Sequence, residues 1–357
     1  MSLLERLKAE IAATGPISVA DYMSRCLHDP QDGYYATRPA LGPDGDFITA
    51  PLVSQMFGEL IGLWCVEIWI QLGRPEKFHL VEVGPGDGTL MSDLLRAGKA
   101  DPGFLPAAEL WLVETSEPLR ERQAERLADG PVHPQWAWSL SQVPGGFPVI
   151  LVANELLDCL PVRQFVHTDD GWVERLVGLD EDGSLIFGLA PVGTAKGSQG
   201  EPGSGMILEV SAAQEALGAE LGAMVVRDGG AALLIDYGRA EAEFGDTLQA
   251  LEKHEKVDPL ARPGHSDLTV HADFPTVLTA AQSVGAAVGP ILPQGAFLGR
   301  LGIEARVQAL QAARPDKAEL IHRQFLRLAA PTEMGELFKV VCIHSAGLEP
   351  PGFETPV

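Results

Sequence analysis

The stretch His79-Leu80-Val81-Glu82-Val83-Gly84-Pro85-Gly86-Asp87-Gly88-Thr89 decides the fold. A short, almost continuously apolar run ends on a glycine, and Leu90, Met91, Leu94 and Leu95 then recur at helical spacing. A run without alternation fits a strand buried on both faces, and a glycine turn into a helix is the first half of a βαβ unit. The glycines are spaced G-x-G-x-G. The dinucleotide fingerprint G-x-G-x-x-G would need a glycine at position 89, where this chain has threonine. The loop therefore suits a smaller nucleoside better than a pyrophosphate, which counts against a nicotinamide oxidoreductase. Its plain alternative is a strand-to-helix turn with no ligand.

Outward from this loop the rhythm repeats. Residues 110–113 read as a second strand ending at Glu114, 118–128 as a helix, 136–138 as a third strand and 149–153 as a fourth. The pattern then breaks. Residues 162–166, 172–179 and 185–189 read as short strands joined by Asp-Gly turns, followed by a Gly-, Pro- and Ser-rich stretch at 195–205 that reads as a mobile loop. Ser211 and Gln214 have capping-box spacing, residues 231–235 read as a fifth strand ending in Asp236-Tyr237-Gly238, and 337–343 as a late strand. Upstream, Leu3, Leu4, Leu7 and Ile11 fall on one helical face, and Ser18 can cap a second helix. Residues 28–46 read as a loop. A long helix is expected from Pro51, with Phe57, Leu60, Ile61, Trp64 and Ile68 on one side, and Gly98 can cap the helix after the glycine loop.

The fold expected is α/β, a doubly wound, mostly parallel, Rossmann-like sheet. It carries an N-terminal helical segment (1–75) and an inserted antiparallel β subdomain with the mobile loop (161–205). The core itself is expected at 76–160 and 206–357.

In such sheets ligands bind beyond the carboxyl ends of the strands, at the switch in strand order. Glu82, Gly84, Pro85, Gly86, Asp87, Gly88 and Thr89 follow the first strand. Glu114 ends the second, where a carboxylate can accept hydrogen bonds from both ribose hydroxyls; the alternative is a solvated strand-end acid. With carboxylates at 82, 87 and 114 and no Lys or Arg in the loop, the set suits a cationic cofactor, and S-adenosyl-L-methionine carries a sulfonium. After the fourth strand, Asn154, Glu155 and Asp158 can hold a nitrogen nucleophile, and carboxylates match the planar fork of a guanidinium. The alternative reading makes Glu155 and Asp158 caps of a following helix.

Bulk composition narrows the partners. The 357 residues are 46% hydrophobic with a formal net charge of −23, which suits a globular chain and disfavours nucleic acid. The most apolar stretch, 60–72, is interrupted by Glu67 and is shorter than the roughly 20 residues of a membrane span. No membrane insertion is therefore expected. Cys26, Cys65, Cys159 and Cys342 lack metal-ligand spacing, so no metal is expected. Oligomeric state is not legible.

The chain resembles the MidA-like family of methyltransferases that act as complex I assembly factors. The matching stretches are Gly15-Pro16-Ile17-Ser18 with Tyr22-Met23, Asp29-Pro30 with Gly33-Tyr34-Tyr35, and Gly45-Asp46-Phe47-Ile48-Thr49 with Phe57-Gly58-Glu59. They continue with the Glu82 to Thr89 loop, Asn154-Glu155-Leu156-Leu157-Asp158, Asp236-Tyr237-Gly238, and Asp267-Leu268-Thr269-Val270-His271-Ala272-Asp273-Phe274. The last are Gln294-Gly295-Ala296-Phe297-Leu298 and Met334-Gly335-Glu336-Leu337-Phe338-Lys339-Val340. The resemblance implies arginine methylation of a protein partner, a subunit of NADH–ubiquinone oxidoreductase. Intact Gly84, Gly86, Gly88 and Glu114 speak against a non-catalytic assembly chaperone that merely kept the fold. Asp46, Phe47 and Thr49 are candidates for a lid, and Asp46 is also a candidate catalytic-site residue that closes over the acceptor. His271 is a candidate to touch or deprotonate the acceptor, or else to make a structural hydrogen bond. No presequence is recognisable before Met1, so a bacterial-type cytoplasmic protein is expected.

Overall fold

The computed structural model describes residues 1–37, 49–190, 203–252 and 255–354. Helix α1 (Leu3–Thr14) opens on a reciprocal capping box between Ser2 and Glu5 and buries Leu3, Leu7 and Ile11. A short strand, β1 (Ile17–Ser18), leads into α2 (Val19–His28), whose first turn is capped by the Ser18 hydroxyl accepting from the Asp21 N–H. The stretch expected to be loop contains one helical turn, α3 (Tyr34–Thr37). The helix expected from Pro51 is two helices, α4 (Ala50–Val53) and α5 (Gln55–Gln71). Ser54 is extended between them (φ −164°, ψ 141°), and its hydroxyl restarts the helix by accepting from the Met56 N–H. Residues all round α5 are buried, as a core helix requires.

The central sheet begins with β2 (Phe78–Val83), followed by α6 (Thr89–Ala97), the turn α7 (Phe104–Ala107), β3 (Ala108–Val113), α8 (Glu117–Leu127), β4 (Gln135–Ala137) and β5 (Val149–Asn154). Gly98 ends α6 with φ −57°, so it is not a left-handed cap. The chain runs on into a 3-10 turn, and the glycine serves close packing: a Cβ there would lie 2.8 Å from Leu105 Cδ2.

Next come β6 (Arg163–Thr168), β7 (Gly171–Leu179), β8 (Leu185–Leu189) and β9 (Ile207–Val210), all paired antiparallel. This small sheet takes in strands on either side of 161–205, since β9 pairs with β6 and β1 with β7. Most of the expected mobile loop lies outside the described residues. Helix α9 (Ala212–Asp228) is capped by Ser211, but the expected box is one-sided. Gln214 instead donates to the Leu157 carbonyl and accepts from the Asp273 N–H.

The long strand β10 (Gly230–Arg239) follows, then β11 (Gln249–Glu252), β12 (Glu255–Val257), β13 (Asp267–Thr269), β14 (Ala272–Asp273), α10 (Phe274–Ser283), β15 (Ala287–Val288), β16 (Leu292–Pro293), helices α11 (Gln294–Arg300), α12 (Ile303–Ala313) and α13 (Ala318–Ala329), and β17 (Phe338–His344).

The main path of the central sheet runs β15-β17-β10-β5-β2-β3-β4. From β4 to β10 all neighbours are parallel, and β17 is antiparallel to β10. The strand order reverses between β2 and β5, so the glycine loop and Asn154-Glu155 leave the sheet side by side. Alternate residues of each strand feed opposite cores. Leu80, Ile150, Val152 and Leu233 pack towards α5 and α6, while Val81, Leu151, Ala153 and Leu234 pack towards α9 and α10. Covering both faces explains why the strands are apolar without alternation. A third cluster packs α1 and α2 against Val162, Val177, Leu268 and Val270. Among the described residues, no helix is long and apolar enough to cross a membrane.

Candidate active site

The carboxyl ends of β2, β3 and β5 open into a cavity of about 450 Å³. Glu82, Gly84, Pro85, Gly86, Asp87, Thr89, Glu114, Asn154, Glu155 and Asp158 all line it. Gly84 (φ 66°) and Gly86 (φ 55°) take the left-handed conformation, which lets the loop turn with its backbone facing the cavity. Gly88 does not line the cavity; it starts α6 at φ 81°. Asp46 lies outside the described residues, as does Phe47, while Thr49 is in the cavity wall. Among the described residues no cluster of His, Cys, Asp and Glu could hold a metal.

The acids differ in their company. Glu82 is 2% exposed, and its Oε2 has no hydrogen-bond partner among the described residues. Burial, reinforced by Asp87 and Glu114, holds its carboxyl far above the usual range. Asp87 accepts from the Thr89 N–H and pairs with Arg126 of α8 at 2.7 Å. The basic residue that the loop itself lacks is brought to it by α8. Glu114 is buried, which raises its pKa, and is fixed by the Ser116 N–H at 2.7 Å and the Gln123 amide at 3.3 Å. Gln123 also donates to the Gly86 carbonyl at 2.8 Å, tying the glycine loop to the strand-end acid. Nothing in the spacing of Gln123 marks it for that task.

No helix follows β5, so Glu155 and Asp158 are not helix caps. They stand on a turn held by Asp236 at the same level of β10. One Asp236 oxygen accepts the N–H groups of Leu157 (2.8 Å) and Asp158 (3.1 Å), and the other accepts that of Tyr237. Glu155 has φ 52°, a strained value for a side-chain-bearing residue and the kind that clusters at functional sites. Its Oε1 accepts from the Ala50 N–H (3.2 Å) and the Asn154 amide (3.0 Å), leaving Oε2 uncommitted among the described residues. Burial first, and Asp158 second, push Glu155 up to about 7; burial raises Asp158 to about 6. Asn154 is 9% exposed, and its Oδ1 has no partner among the described residues.

His271 does not line the cavity. Its backbone N–H donates to Thr247, its ring meets Tyr237 edge-on at 5.9 Å, and burial lowers its pKa. The reason is local: β14 pairs with the last residues of β10, beyond the strand level that carries Asp236.

The sequence reading missed the walls that close the site. His28 and Tyr35 come from the N-terminal segment, Trp138, Ser139 and Leu140 from the end of β4, and Ala213, Ala216, Leu217 and Glu220 from α9. The Arg120 guanidinium lies over the Trp138 ring, 3.6 Å from its centroid. The N-terminal wall is tied down by three bonds: Ser116 Oγ to the Tyr35 carbonyl (2.8 Å), Tyr35 hydroxyl to Asp267 (3.2 Å), and the Ala50 N–H to Glu155.

A family model described as "Putative S-adenosyl-L-methionine-dependent methyltransferase" matches residues 60–291, which include the glycine loop, Glu114 and Glu155. The chain belongs to this methyltransferase family. It is 37% identical to the mitochondrial protein arginine methyltransferase NDUFAF7 of Danio rerio, over 95% of this chain and 86% of that protein. It is also 37% identical to the Homo sapiens protein of the same name, over 94% and 82%. A crystal structure of a Burkholderia thailandensis protein bound to S-adenosyl-homocysteine superposes with a TM-score of 0.83 at 29% identity, covering 99% of this chain and 93% of that one. The enzyme is a methyltransferase, and its cofactor is S-adenosyl-L-methionine. The residues fit that cofactor: buried Glu82 and Asn154 oxygens, without a partner among the described residues, and a left-handed glycine turn face one cavity. These named relatives are mitochondrial, which overturns the expectation of a cytoplasmic protein.

Proposed function

We propose that this methyltransferase modifies an arginine side chain of a protein partner, on a subunit of NADH–ubiquinone oxidoreductase. The observation that carries the arginine reading is the placement of Glu155 and Asp158 in the same cavity as the glycine loop and Glu114. The relatives named protein arginine methyltransferase support it. The complex I subunit rests on the family resemblance.

In this reading Gly84, Gly86 and the loop around them cradle the cofactor, Glu114 accepts from its ribose, and Glu82 and Asn154 face its charged portion. When bound, S-adenosyl-L-methionine supplies an electrophilic methyl group. Glu155 and Asp158 hold the guanidinium by charge-assisted hydrogen bonds and fix the nitrogen that reacts. With Oε1 engaged by Ala50 and Asn154, Glu155 Oε2 is the atom that takes up the nitrogen's proton. Asp236 keeps both acids in register through the backbone N–H groups it accepts.

The test is transfer of labelled methyl from the cofactor to purified complex I, followed by mass spectrometry. Label on arginine of one subunit is the expected result. Label on another residue type, or none, would overturn the proposal.

A further inference from the structure

Gly33-Tyr34-Tyr35 has no part in the chemistry described so far, yet Tyr35 is in the cavity wall. We propose that Tyr35 is the specificity-determining face of the acceptor site, an aromatic wall that selects a flat guanidinium over an ammonium; this rests on the arginine reading above.

Three observations place it there. Tyr35 and His28 both line the cavity that Glu155 and Asp158 line, and their rings stack, with centroids 5.8 Å apart and planes 25° apart. The phenol is anchored at both ends: its hydroxyl donates to Asp267, which is 7% exposed, and its own carbonyl accepts from Ser116 Oγ. The same Ser116 offers its N–H to Glu114, so the aromatic wall hangs from the strand end that holds the cofactor acid. The buried Asn154 Oδ1 in the same cavity, without a partner among the described residues, is a further acceptor for an N–H donor.

The physical consequence is selectivity. Carboxylates attract any cation, so Glu155 and Asp158 alone would take lysine as well as arginine. A delocalised, weakly hydrated guanidinium stacks on an aromatic face, whereas a compact ammonium keeps more of its hydration. An exposed-to-desolvated cation–π contact is worth roughly a threefold to thirtyfold preference. Asp267 acts as a positioning residue, because it touches Tyr35 and does not line the cavity.

The probe is a short peptide with a single arginine, and its arginine-to-lysine counterpart, titrated calorimetrically into the full chain loaded with S-adenosyl-homocysteine. Wild type should prefer the arginine peptide by about tenfold. Tyr35→Phe, which keeps the ring but loses the bond to Asp267, should lower the preference to about the level of Asp267→Ala, and Tyr35→Leu should erase it, with S-adenosyl-homocysteine affinity unchanged in both. Asp267→Asn, which can still accept from the hydroxyl, should behave as wild type, whereas Asp267→Ala should lower the preference. If Tyr35→Leu fails to fold, the Asp267 pair carries the test. Equal preference in wild type and in the Tyr35→Leu or Asp267→Ala variants, or no preference in wild type, would overturn the inference. Methyl transfer by wild type to a residue other than arginine would instead refute the function proposed above.

Discussion

Replacing Glu155 by glutamine separates its charge from its shape. The amide oxygen can still accept from the Ala50 N–H, so the turn should hold, but the group can no longer ionise. In the ligand-free enzyme burial holds Glu155 near 7 and Asp158 near 6, so both acids take protons across the range in which the enzyme is assayed. A guanidinium needs the ionised forms. Wild-type kcat/KM for the acceptor should therefore rise about tenfold per pH unit below 7, more steeply below 6, and level off above 7. In Glu155→Gln the inflection near 7 should vanish, and the plateau should fall by the value of a charged hydrogen bond, about 1.5–3 kcal/mol or roughly 10- to 150-fold. The same raised values fix the sign for stability. The folded state holds these protons more tightly than the unfolded chain, whose values are 4.5 and 3.8. The stabilisation is full at acid pH and lost as pH rises towards 7. Labelled-methyl incorporation measured between pH 5.5 and 8.5 (an interval of about 1.5 units on each side of 7), beside cofactor calorimetry, reads both. An inflection near 7 that survives in Glu155→Gln refutes the assignment.

Three further outcomes follow from the same geometry. Gly86→Val should abolish S-adenosyl-L-methionine binding by calorimetry in a folded variant, because a branched residue resists φ 55°. Glu114→Ala should weaken cofactor binding by about 2–3 kcal/mol, and Glu114→Gln by less, since an amide oxygen still accepts one hydrogen bond; wild-type affinity in both would make Glu114 a structural acid. Glu155→Gly should melt no lower than wild type, because it relieves a left-handed backbone worth about 1 kcal/mol, while methyl transfer is lost. A large drop in melting temperature would show that Glu155 serves the fold instead.

The alternation of apolar runs and helical periods was enough to read the doubly wound sheet, and glycines followed by an acid at the next strand end were enough to pick out residues that line one cavity. Both are local signals: the constraint and the residue that meets it lie within a few positions of each other. Where reading failed, the deciding contact is remote. Asp87 meets Arg126 across 39 positions, and Tyr35 meets Asp267 across 232. No periodicity records such a pairing, so one acid looked free when it was paired, and the aromatic wall went unseen. The break at Ser54 was equally hidden, since the apolar pattern runs through it while one extended residue splits the helix. His271 sat in a matching motif, but its motif places it beside Tyr237 and Thr247 and outside the cavity. The sequence by itself determined the layering of the sheet and the chemistry of its strand ends, because burial on two faces and tight turns restrict residue types locally. The tertiary structure alone decided which of those acids stay unpaired and what faces them, because that depends on elements hundreds of residues apart packing against one cavity.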